Sequence, residues 1–109
     1  MRPHVYLLIR NVNWEYDALV KSWDQIADIS MFHFDSEDDG KSRKWWKTNR
    51  DILQSKIIND VSSKNKKRKI DLMFCYTSGR WVNHSTISEI RNKINAPIVN
   101  MSFDDYHAF

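Results

Sequence analysis

The sequence predicts a single α/β domain over residues 1–109: a Rossmann-like three-layer fold around a four-stranded parallel sheet in the order 2-1-3-4. Three observations predict it. Short apolar, β-branched-rich runs alternate with segments whose apolar residues recur at helical spacing, a β-α-β-α-β-α-β pattern that implies parallel strands joined by right-handed crossovers. The length, 109 residues, suits one domain and leaves no room for two. The composition, 41% hydrophobic and 28% charged, is that of a chain that buries a core.

Each element has its own signal. Residues 4–9 form the first apolar run. Asn11 and Asn13 then offer cap residues ahead of Tyr16, Leu19, Val20, Trp23, Ile26 and Ala27, whose spacings of three and four make one face of an amphipathic helix. Residues 29–34 are the second strand, and the acidic stretch 36–40 is a turn that contains the first glycine. A long helix is predicted over 43–63, with Trp46, Leu53, Ile57 and Val61 inward and Trp45, Ile52 and Ile58 beside them. The basic block Lys64, Lys66, Lys67, Arg68, Lys69 lies at its end, where cations suit the negative pole of the helix dipole. Residues 70–76 are the third strand and the most apolar, so it belongs in the sheet interior beside the first. The second, carrying His33, suits an edge. Thr86 and Glu89 match a capping box opening a short helix with Ile87, Ile90 and Ile94 inward, stopped near Asn95 and Pro97. Residues 98–103 are the fourth strand, followed by an acidic, aromatic tail.

Several function classes lose ground at once. The single cysteine, Cys75, has no intrachain partner and lies in an apolar run, so it reads as a buried hydrophobe in a reducing compartment. There is no CxxC and no Cys/His cluster. His4, His33, His84 and His107 make no ligand spacing, so no metal is expected. No apolar run approaches the ~20 residues that span a bilayer, and the chain enters a strand almost at once, without a secretory signal, so the expected location is the cytoplasm. Only two glycines are present, which leaves no GxGxxG or GxxxxGK[ST] phosphate cradle and no expected cofactor. The net charge is +3, but the lysine block has no aromatic residues interleaved with it, which weighs against nucleic acid.

In open parallel sheets, ligands bind outside the carboxyl ends of the strands. The segments expected there are 10–14, 35–38, 76–81 and 102–105. The adjacent carboxylates Asp104 and Asp105 are the most suggestive pair, able to hold a hydroxyl, a cation or an arginine. A phosphoacceptor of the receiver type is a poor fit, since the first strand ends in Ile9, Arg10 and Asn11 with no acidic pair.

Residues 71–82 (DLMFCYTSGRWV), the capped helix after them and residues 96–109 (APIVNMSFDDYHAF) resemble the N-terminal domain of spore-maturation-type glycosyltransferases, a glycosyltransferase family 1-like group. The opening strand and the loop carrying Asn13 and Trp14 suit it as well. The resemblance implies a GT-B architecture, two Rossmann-like domains facing across a cleft, with this chain as the first part of the acceptor-side domain. The donor-binding domain is then missing, so the chain alone is expected to be inactive, and a nucleotide-sugar and acceptor would engage through that second domain. The positions carried over are Asn13 and Trp14, Ser78 and Gly79, and Asp104 and Asp105, as ligand-binding candidates; no catalytic residue is assigned. The alternative is a non-enzymatic flavodoxin-like binding or interaction module. Ile98, Met101, Phe103, Tyr106 and Phe109 are expected to leave apolar surface near the fourth strand, and with it a homodimer.

Overall fold

A computed structural model describes residues 2–10, 13–34, 48–76 and 82–101. The order of elements is β1 (His4–Arg10), α1 (Asn13–Asp24), β2 (Asp28–Phe34), α2 (Arg50–Lys67), β3 (Leu72–Tyr76), α3 (His84–Lys93) and β4 (Ile98–Asn100). The four strands make one parallel sheet in the order β2-β1-β3-β4. This is the predicted Rossmann-like α/β arrangement, with β1 and β3 inside and β2 and β4 at the edges. In register, Val5 lies between Ile29 and Leu72, and Phe74 lies beside Val99.

Side chains alternate across the pleat, so each strand feeds two cores. Tyr6, Leu8, Met73 and Cys75 face α2 and α3, where Leu53, Ile57, Val61, Ile87, Ile90 and Ile94 meet them in one buried cluster. Val5, Leu7 and Ile9 face α1, with Leu19, Val20 and Trp23 over them and Leu72, Phe74 and Tyr76 alongside. The ring of Trp23 tilts against Phe74 at 5.2 Å between centroids, the edge-biased geometry aromatic pairs prefer. All residues from Val5 to Ile9 are buried, whereas in β3 only Met73 and Cys75 are. The most apolar-looking strand is thus not the deepest: among the described residues, helices cover β1 on both faces and β3 fully on only one.

The amino edge of the sheet is tied by a buried histidine. The His4 backbone N–H donates to Asp71 Oδ2 at 2.8 Å. Its Nδ1 lies 2.9 Å from the Arg68 carbonyl, so Nδ1 carries the proton, and Nε2 meets Ser30 Oγ at 2.8 Å. This satisfied histidine joins β1, β2 and the α2–β3 connection. Beside it, Arg68 Nη1 donates to Asp28 Oδ2 at 2.7 Å. That bond, with the nearby charges of Arg68 and Arg2, holds the exposed Asp28 carboxyl below the usual carboxylate range.

Five expectations need correcting. Ile26 is not on the core face of α1: the helix ends at Asp24, the N–H groups of Ile26 and Ala27 both turn back to the Trp23 carbonyl, and Ile26 is left 62% exposed while Ala27 is buried. Ile52 is likewise mostly outside the core, at 43% exposure. The Thr86–Glu89 capping box does not form. Asn83 is the N-cap, Thr86 sits inside the first turn, and its hydroxyl is spent on Gln54. Finally, α2 runs on to Lys67, because Lys64, Lys66 and Lys67 are good helix formers that also favour the negative helix end. The β3 ladder begins at Leu72 rather than residue 70, yet Ile70 is fully buried, its N–H held by Asn65 Oδ1 at 2.9 Å. Trp45, Trp46, Phe103, Tyr106 and Phe109 lie outside the described residues.

Candidate functional site

The carboxyl ends of β1 and β3 lie side by side, with Ile9 in register with Tyr76. From β1 the chain leaves through α1 to β2 on one side. From β3 it leaves through α3 to β4 on the other, across the opposite face of the sheet. Two adjacent strands whose crossovers diverge make a topological switch point, the place where open α/β sheets form a ligand crevice. Because each helix runs back against its strands, α1, α2 and α3 all start at this edge and turn the positive ends of their dipoles toward it.

Of the residues read from sequence as ligand candidates, Asn13 and Trp14 are the first two positions of α1, directly after the end of β1. Ser78 and Gly79, between β3 and Val82, and Asp104 and Asp105, past Met101, lie outside the described residues. The fold therefore places the start of α1 and the end of β3, at Tyr76, on the two sides of the switch point, with β4 one strand further out.

A polar network that sequence reasoning missed stands at this same edge. Gln54 is buried at 6% exposure among apolar neighbours. Its Oε1 accepts the Asn83 backbone N–H at 2.9 Å and the Thr86 hydroxyl at 2.5 Å, while Nε2 donates to the Arg50 carbonyl at 3.3 Å. The Arg50 guanidinium in turn donates to Asn83 Oδ1. That bond explains why Asn83 caps α3 by position without a side-chain cap of its own. The network locks the first turn of α3 onto the first turns of α2. With the fully buried Val82 it fixes where the connection from β3 re-enters the fold. The signal was present: position 54 falls on the stripe of 50, 54, 57 and 61, so a glutamine there has to find partners in the core.

Other groups are placed for structure rather than chemistry. Burial pushes the Cys75 thiol up to about 12, which removes the thiolate a nucleophile needs. The Tyr6 hydroxyl donates to Asp60 Oδ2 at 2.6 Å, and burial followed by that carboxylate raises it far above the usual phenol range. Among the described residues no group of three or more His, Cys, Asp or Glu could hold a metal ion, and no helix is long and apolar enough to cross a membrane. The edge as described offers helix N-termini and a guanidinium, means of holding a polar or negative group rather than of moving a proton. Comparisons with protein-family models, with curated proteins and with solved structures give no match.

Proposed function

We propose that this domain is part of the N-terminal, acceptor-side domain of a GT-B glycosyltransferase of the spore-maturation type, which holds a ligand at the carboxyl edge and does not turn over nucleotide-sugar by itself. The observation that carries the reading is the switch point between β1 and β3. The resemblance between residues 71 and 109 adds the class of ligand, since its motif runs through β3, α3 and β4, and β3 ends at that crevice. A second reading rests on the same adjacency. β3 pairs directly with β1, the neighbour relation of flavodoxin-like sheets, which equally fits a non-enzymatic binding or interaction module.

Titration of the isotopically labelled chain with sugar acceptors and with nucleotide-sugars, with sugar release followed in parallel, separates the readings. The expected result is amide shifts with sugar acceptors, confined to Ile9, Arg10, Tyr76 and the first turns of α1 and α3, and no release. Release that tracks the purified protein and disappears with Asp104→Ala or Asp105→Ala overturns the claim of inactivity. The absence of any shift with nucleotide-sugars, nucleotides or sugar acceptors overturns the glycosyltransferase reading and leaves the binding module.

A further inference from the structure

The amino edge of the sheet holds a pair of side chains that the carboxyl-edge site does not use. His4 of β1 and Ser30 of β2 stand on the face of the sheet that α2 and α3 cover, where Tyr6 is in register with Ser30. Ser30 Oγ lies 2.8 Å from His4 Nε2. The other ring nitrogen, Nδ1, is 2.9 Å from the Arg68 carbonyl and 3.2 Å from the Lys69 carbonyl. A carbonyl only accepts, so in the neutral ring Nδ1 carries the proton and Nε2 presents its lone pair to the hydroxyl. The Ser30 hydroxyl is therefore the donor. A hydroxyl bonded to an imidazole whose second nitrogen is held by a third group is the arrangement that activates serine nucleophiles. Here backbone carbonyls take the orienting place that a carboxylate fills in a catalytic triad.

Three features fit chemistry better than a tie between strands. The ladder already joins β1 to β2 along all seven residues of each, so the side-chain bond adds little to their pairing. Ser30 is half-buried while the ring it bonds is buried. The nucleophile thus faces outward with the base behind it, the order that a reagent arriving from solvent requires. One pleat away on the same face of β2, Asp28 holds the Arg68 guanidinium at 2.7 Å. A cation fixed there favours the negative charge that develops on an acyl oxygen under attack. We propose that Ser30 is an activated nucleophile that accepts an acyl group from a small activated ester or thioester, with His4 as its general base. Ser30 Oγ bonds to the carbonyl carbon as its proton passes to His4 Nε2. Collapse of the tetrahedral adduct breaks the bond to the alcohol or thiol, which leaves with that proton. The acyl group stays on Ser30 as an ester, and nothing is oxidised or reduced.

The test treats the full chain with p-nitrophenyl acetate and, separately, with a small fluorophosphonate, and locates the adducts by peptide mass spectrometry. The expected result is modification of Ser30 roughly 100-fold faster than of any other serine, the least that a positioned general base supplies. Ser30→Ala should abolish it, and His4→Gln should bring the rate down to that of the other serines. Because His4→Gln removes a buried ring, Ser30→Cys gives a second measurement with the histidine in place. The introduced thiol should react with iodoacetamide faster in the folded chain than in urea. No adduct at Ser30, or one whose rate a folded His4→Gln chain leaves unchanged, overturns the proposal and leaves the pair a tie between strands. So does an introduced thiol that reacts no faster folded than unfolded. Ser30 and His4 lie at the edge away from the switch point, so the ligand titration there succeeds or fails independently.

Discussion

The two faces of the sheet are covered unequally. On the α2/α3 face, Leu53, Ile57, Val61, Met73, Cys75, Val82 and Ile90 are sealed from solvent in one continuous cluster. On the α1 face a single helix covers β1 and β2, and Leu72, Phe74 and Tyr76 of β3 are only partly buried, with Val99 of β4 at 46% exposure beside Phe74. The lesson is that alternating apolar positions do not guarantee equal burial. A strand needs a helix over each face, and among the described residues the α1 face has one helix for four strands.

The widest contrast should appear on truncation. Ile57→Ala opens a cavity where the surroundings are packed on every side and should cost about 2–5 kcal/mol. Phe74→Ala removes a larger side chain but one that solvent already reaches, and should cost less than Ile57→Ala. Urea unfolding of both variants checks the order, and equal losses would mean the α1 face is as tightly closed as the other. Next in size is the polar clamp at the top of the closed face. Gln54→Leu keeps the volume but strands the Asn83 N–H and the Thr86 hydroxyl, a loss of about 1–3 kcal/mol. Amide exchange should rise first at the start of α3, because that is where the partners are lost. The smallest stability effect belongs to the open face. Val99→Lys should move stability by no more than about 0.5 kcal/mol. The same change tests the expected homodimer: sedimentation should find self-association in the unaltered chain and a monomer in the variant. A monomer in both, at high micromolar concentration, would remove the dimer.

Most of the fold was legible in one dimension. The stripe Leu53, Ile57, Val61 and the run through Met73 and Cys75 have periods that only a helix and a strand can satisfy, so their inward faces followed without knowledge of their partners. The errors fall where a helix ends or where a side chain has two possible partners. Ile26 keeps the right spacing, but the turn after Trp23 has already left the helix. Thr86 has the chemistry of a cap, yet a buried amide acceptor outcompetes its own backbone.

The candidate site divides in the same way. Sequence alone determined which loop segments follow the carboxyl ends of the strands, because parallel strands joined by helices leave those loops on one edge. It also determined the strand order, since burial demand sorts interior strands from edge strands. Only the tertiary structure decided that the crossovers from β1 and β3 diverge at a switch point and that Gln54 reaches across to hold α3. Each of these depends on contacts between residues far apart in the chain, and such distances become short only when the crossovers bring the helices together.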